Sequence, residues 1–143
     1  MGNFSRILAF DVGHKRTGLA QSDPMHIIAS PIGAFGEGEL FEKVAAIIAA
    51  GPVSHFVVGW PIGQQGQRGA STQRVEQFVK KLNKRFPGIE VTLVDERFTS
   101  VMAKQQMIDS GMKKKKRQQK GIVDATAACI ILQEFLDQNS NTR

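Results

Sequence analysis

Residues 7 to 23, ILAFDVGHKRTGLAQSD, decide how the chain is read. Ile7 to Val12 have strand composition, and alternation puts Ile7, Ala9 and Asp11 on one face and Leu8, Phe10 and Val12 on the other. Apart from Asp11 both faces are apolar, so the strand is expected to be central, covered on each side. Asp11 then ends a covered strand, where strands disfavour Asp and an unpaired carboxylate is costly to desolvate. Two readings stay open at this point: a turn cap ahead of Gly13, bonding backbone amides, or a ligand for a cation.

Outward from that strand the order is legible. VGHKRTG is a short glycine-flanked turn into a second strand at about 17 to 22, which makes a hairpin, and a third strand is expected at 26 to 32. GELFEKVAAIIAAG follows, with Leu40, Val44, Ile47 and Ile48 at helical spacing and Gly51 as its stop. SHFVVGWP is a buried strand closed by Gly59 and Pro61, and IGQQGQRGAST a polar glycine-rich loop. A helix over about 71 to 86 places Val75, Phe78, Val79 and Leu82 on one side and ends at Pro87 and Gly88. IEVTLVDER is the fifth strand, TSVMAKQQMIDSG a short helix, and GIVDATAACIILQEFLDQ the last helix. A hairpin start feeding alternating helices and strands predicts an α/β fold: a five-stranded mixed sheet, its first three strands antiparallel, flanked by helices on both faces. One domain is expected over 1–138, with a frayed tail at 139–143.

Composition narrows the class. At 143 residues, 41% apolar and 22% charged, the chain is ordinary globular protein with no apolar run long enough to span a membrane. There is no signal-peptide pattern, and one cysteine, Cys129, leaves neither an internal disulfide nor a cysteine-based zinc site. The expectation is a cytoplasmic protein in which Cys129 is a small helix-packing residue. The net charge of +6 is concentrated in KKKKRQQK, which holds Lys113, Lys114, Lys115, Lys116, Arg117 and Lys120. Setting those six aside leaves 13 of the 19 lysines and arginines, matching the 13 acidic residues. Such a run points to a polyanion, most often nucleic acid, and supplies affinity and salt dependence without base specificity; the alternative is a solvated, solubilising loop.

Two further acids stand where apolar runs end. VTLVDER delivers Asp95 and Glu96 at a strand's carboxyl end, the end at which open α/β sheets bind ligands. Adjacent residues point to opposite faces, so one of the two joins any shared site; the alternative is a surface ion pair with Arg97. On the last helix Asp124 shares its stripe with Ala127, Ala128, Ile131 and Phe135, which predicts that it faces the sheet. Complementing the helix dipole would contribute only about 0.3–1 kcal/mol, little against desolvating a lone carboxylate. Inward carboxylates repel and stay ionised together only around a cation, and hard oxygen donors favour Mg²⁺ or Mn²⁺ over zinc. Carboxylates, a divalent ion and a polyanion together suggest phosphodiester hydrolysis.

Four blocks then carry a resemblance: AFDVGHKRTGLAQSD, VVGWPIGQQGQRGAST, VDERFTS and IVDATAACIILQEFLD. In order, and over nearly the whole chain, they resemble the signature blocks of the YqgF (RuvX) family. The resemblance implies a ribonuclease H-like fold close to the resolvase RuvC. It also implies a nuclease for the 5′ end of pre-16S rRNA in ribosome biogenesis, with Holliday junction resolution in DNA recombination and repair as the alternative. Carried over by position, Asp11, Glu96 and Asp124 are the catalytic and metal-holding acids. RuvC-type resolvases take their glutamate from the end of the fourth strand; here that place reads GWP, so the middle acid comes from DER, with Asp95 as runner-up to Glu96. Trp60 and Phe98 also depart from the expected pattern; Trp60 is read as a half-buried packing residue ahead of a base-stacking one.

Around the acids, Lys15 and Arg16 in the turn after Asp11 are candidates to clamp a phosphate, as are Arg97 and Arg68, the last in a glycine loop at a helix N-terminus. His14 is expected simply to be exposed. The expected partners are nucleic acid, pre-rRNA ahead of branched DNA, and ribosomal particles, with the chain a monomer or homodimer. The competing class is a non-catalytic RNA-binding assembly factor. A kinase of the actin or sugar-kinase type, which also uses a DxGxKR-like turn, would need a second domain that 143 residues cannot supply.

Overall fold

Four consecutive residues, Ile7 to Phe10, are buried, which requires a layer against each face of their strand. The computed structural model describes residues 5–60, 70–95 and 120–141, with side chains described within them except at 70–71, 120–124 and 140–141. The elements run β1 (Arg6–Val12), β2 (Thr17–Ser22), β3 (Ala29–Phe35), α1 (Glu37–Ala50), β4 (Val53–Trp60), α2 (Ala70–Arg85), β5 (Glu90–Asp95) and α3 (Lys120–Asn141). The sheet order is β3-β2-β1-β4-β5. The β1–β2 and β2–β3 pairs are antiparallel, and β4 pairs in parallel with both β1 and β5. The expected mixed sheet is therefore present, with β1 at its centre.

The two faces hold different cores. Leu8, Phe10, Leu19, Phe56 and Val58 pack against Leu40, Phe41 and Val44 of α1 and Val75, Phe78 and Leu82 of α2. Phe10 meets Phe56 and Phe78 edge-on, with ring centroids 5.4 and 5.3 Å apart, and Phe41 stacks on Phe78 at 5.8 Å. Edge-on and offset rings are the favoured aromatic arrangements, each worth about 0.5–1.5 kcal/mol beyond area burial. On the other face Ile7, Ala9, Ala20 and Val57 take Ala128, Ile131, Leu132 and Leu136 of α3.

The third strand starts three residues later than its composition predicts. Asp23 is the reason: its carboxylate accepts from the backbone amides of Met25 (3.0 Å), Ile27 and Ile28 (both 2.7 Å), holding the intervening residues as a loop. The Ile28 amide leads the hydrogen bonds that lower the Asp23 carboxyl pKa, against an opposing contribution from burial. His26 adopts φ 60° within this loop, and its Nε2 donates to the Ser5 carbonyl at 2.6 Å. Gln133 of α3 then fastens the strand: its Oε1 accepts from the Ala29 amide and its Nε2 donates to the Ile27 carbonyl. Helix α3 continues through Asn141, beyond the expected end at 138. The helix expected after Thr99 lies outside the described residues.

Candidate active site

The hairpin β1–β2 places the first acid. The Gly13 amide donates to the Arg16 carbonyl at 2.9 Å, closing the turn. A Cβ at position 13 would stand 2.5 Å from that same carbonyl oxygen, so only glycine fits this closure. With the turn pinned, Asp11 pairs in register with Gly18 and is half-buried at the strand's end. Ile7 and Ala9 pack towards α3 whereas Leu8, Phe10 and Val12 pack towards α1 and α2. Alternation therefore puts Asp11 on the α3 face.

The buried stripe predicted for the last helix is present: Ala127, Ala128 and Ile131 are shielded and Phe135 is half-buried. Alanine at 128 against Ala9 and Ala20 lets the helix approach β1 and β2 closely. Asp124 belongs to the second turn of this helix, and its side chain lies outside the described residues. Glu96, Arg68, Arg97 and the run Lys113 to Arg117 also lie outside them, while Lys120 is the first residue of α3. Among the described residues no cluster of three His, Cys, Asp or Glu has the spacing of a metal site.

Asp95 is described, and its position is informative. It pairs in register with Trp60, which packs against the aromatic core of the α1–α2 face. By backbone parity Asp95 thus belongs to the face opposite Asp11. Its charge is nevertheless felt on α3, where burial first and Asp95 second raise the Glu134 carboxyl pKa. Parity and electrostatics describe different things here: parity assigns a side chain to a face, whereas a charge on the edge strand β5 acts over distance on either face. Glu134, which no sequence pattern singles out, is thus a further acid on α3 with a raised pKa. Its only signal is its spacing, three residues beyond Ile131.

Trp60 is half-buried against the aromatic core, as expected for a packing residue. Cys129 is half-buried, its thiol donates to the Ala29 carbonyl at 3.2 Å, and burial raises its pKa, the environment of an unreactive cysteine.

The basic turn residues do not stand alone. Lys15 lines a cleft of about 270 Å³ together with His14, Glu37, Arg74, Gln77 and Lys81. His14 is exposed, and its Nδ1 lies 3.2 Å from Nη2 of Arg74. A guanidinium only donates, so Nδ1 accepts and the ring proton sits on Nε2. Lys81 Nζ meets both carboxylate oxygens of Glu37, at 2.9 and 3.0 Å. Arg74, Gln77 and Lys81 escape sequence reading because polar residues at helical spacing beside an apolar stripe look like any solvated helix face.

Comparison with known proteins identifies the family. A family profile described as RuvX, Holliday junction resolvase, matches residues 5–138. The chain belongs to the RuvX family. A protein of Bacteroides thetaiotaomicron named "Putative pre-16S rRNA nuclease" is 42% identical over 133 residues, 93% of this chain and 96% of that protein. One of the same name from Chlorobium phaeobacteroides is 38% identical over 136 residues, 95% of this chain and 94% of that protein. Among solved structures, Thermus thermophilus RuvC in complex with a Holliday junction substrate superposes with a TM-score of 0.55 at 14% identity, covering 96% of this chain and 97% of that one. At that identity the likeness is one of fold, and it is the RuvC-like, ribonuclease H fold that the sequence blocks imply. Among the described residues no helix is long and apolar enough to cross a membrane.

Proposed function

We propose that this RuvX-family chain is a divalent-metal-dependent nuclease that hydrolyses phosphodiester bonds of structured nucleic acid, with the 5′ end of pre-16S rRNA as its substrate. The observation that carries the reading is Asp11: a carboxylate at the end of a strand buried on both faces, turned towards the small-residue side of the sheet. A carboxylate there is a hard oxygen donor, held in place by a turn that glycine alone can close. Asp124 supports the same site, since it stands three and four residues ahead of the buried Ala127 and Ala128 on one helical stripe. Glu96 is preferred to Asp95 because Asp95 has the backbone parity of Trp60, opposite that of Asp11. The names of the full-length relatives supply the substrate.

Mg²⁺ or Mn²⁺, held by Asp11, Glu96 and Asp124, would supply an activated water and charge neutralisation at the cleaved phosphate. The chain's own residues do the rest. The three acids fix the position of attack, Lys15 and Arg16 on the adjoining turn orient the phosphate, and the lysine run adds sequence-independent grip. Such a protein acts in the cytoplasm on ribosomal precursors. The family description favours a second reading, junction resolution, which would require a symmetric pair of subunits.

A labelled 16S precursor and a four-way DNA junction, each incubated with Mg²⁺ or Mn²⁺, decide between these. Cleavage of the RNA that disappears with EDTA and in Asp11→Asn supports the proposal. Cutting of the junction alone, by a dimer, supports the second reading. Binding of RNA without cutting by wild type and Asp11→Asn alike leaves an assembly factor.

A further inference from the structure

The cleft beside the β1–β2 turn is not part of the face that Asp11 occupies. Val12 lines it, and Val12 and Asp11 project to opposite sides of β1. Its floor is apolar, formed by Val12 and Phe78, and Phe78 is only 4% exposed. Its walls are Lys15 from the hairpin and Arg74, Gln77 and Lys81 from α2, at the i, i+3 and i+7 positions of one helix face. Three permanent cations therefore face one carboxylate, that of Glu37, already engaged by Lys81.

We propose that this cleft is a second binding site for the sugar–phosphate backbone of the substrate strand, next to the hydrolytic centre and across the sheet from it. The inference rests on the reading of the chain as a nuclease of nucleic acid. Its chemistry fits a backbone better than a free nucleotide: Phe78 is buried beneath the lining, which leaves the small, Arg74-bound imidazole of His14 as the one exposed ring beside three cations. Arg74 carries donors in a fixed fork suited to a phosphate, and its bond to His14 Nδ1 leaves the Nε2–H of that ring as a further donor. Because the turn that follows Asp11 also carries Lys15, a strand seated in the cleft passes around the end of β1 to reach the scissile position. Glu37 acts as an internal competitor: it occupies Lys81 in the free protein and must yield it to a phosphate. Contacts of this kind set affinity and register without reading sequence.

The test is anisotropy of a fluorescein-labelled 16S precursor leader with the full chain in EDTA, from 50 to 200 mM salt. Arg74→Gln combined with Lys81→Gln is expected to weaken binding about tenfold and to flatten the dependence of log K on log salt by roughly 1.5 to 2 units. Glu37→Gln is expected to tighten binding two- to threefold, an opposite sign that misfolding cannot mimic. Adenosine monophosphate and inorganic phosphate at equal concentration are expected to compete poorly with the leader. Unchanged affinity and slope in the Arg74/Lys81 variant, with cleavage still lost in Asp11→Asn, would overturn the cleft and leave the nuclease standing. Competition by the monophosphate or by phosphate as strong as by the leader would also overturn it, marking a small-anion site. A wild-type chain that neither binds nor cuts the leader overturns the nuclease reading first, and the cleft with it.

Discussion

The two faces of one sheet have been built to opposite specifications. Towards α1 and α2 the core is large and aromatic, with Phe10, Phe41, Phe56 and Phe78 in mutual contact. Towards α3 it is small, with Ala9, Ala20 and Ala128 where bulk would otherwise sit, and its strand ends in Asp11. Consecutive residues of β1 serve both faces, so one seven-residue strand divides its labour by parity alone. Large rings fill volume and contribute stability, whereas small residues let a helix approach the sheet closely. The bulky face braces the sheet from behind, and the small face leaves room beside the strand end where Asp11 stands.

That division is broken most clearly by crossing two substitutions. Asp11→Asn is expected to lower the rate of precursor cleavage by about 10³-fold or more, the consequence of losing several kcal/mol of metal-assisted stabilisation, with little change in the melting temperature. Phe10→Ala, one residue earlier, is expected to cost about 3–5 kcal/mol in urea unfolding. If the folded fraction of that variant cuts at near the wild-type rate, the faces are separable. Should Asp11→Asn unfold the protein or leave its cleavage intact, the α3 face is structural as well.

A smaller effect sharpens the contrast. Ala128→Leu overfills the α3 face and is expected to cost about 1–3 kcal/mol, with a loss of cleavage out of proportion because the helix carrying Asp124 is pushed off the sheet. Gln133→Ala removes the bonds to the Ala29 amide and the Ile27 carbonyl. It is expected to cost about 1 kcal/mol by denaturant melt and to leave cleavage unchanged.

The aromatic face was legible in the sequence because helices and strands announce it twice. Leu40 and Val44, and Val75, Phe78 and Leu82, recur at helical spacing, and Phe10, Phe56 and Val58 recur at strand spacing. The α3 face was legible through the acid at the end of a covered strand and through the buried stripe of Ala127, Ala128 and Ile131. The start of β3 was not, since Ile27 and Ile28 have strand composition but are held as a loop by Asp23 nearby and by Gln133 from the distant α3, a choice among hydrogen bonds that propensity does not record. The cleft was hidden for a similar reason. Lys15, Arg74 and Lys81 converge only after α2 folds back over β1, and each alone is a surface charge.

The smallest expected effect belongs to His55, at the far end of the α3 face from Asp11. Its Nε2 pairs with the Thr92 hydroxyl and its ring lies 5.3 Å from that of Phe135, centroid to centroid. Burial, and in smaller part the nearby His26, depress its pKa below the usual 6.5, while Glu90 pulls the other way. In the unfolded chain the imidazole takes up its proton near pH 6.5, whereas in the folded chain it resists until the pH is lower. The unfolded state then binds more protons, so stability is expected to decline as pH falls through 6.5 and to level off below the folded pKa. His55→Gln, which keeps a partner for Thr92 but cannot titrate, is expected to flatten this part of the urea-midpoint profile. The change is expected to be smaller than that of either packing substitution, because the ring is only half-buried. An unaltered profile would overturn this reading, and reassigning the acid sensitivity to Glu134 would not rescue it. That assignment fails on sign, since a carboxyl with a raised pKa costs stability as pH rises and therefore favours the folded state in acid.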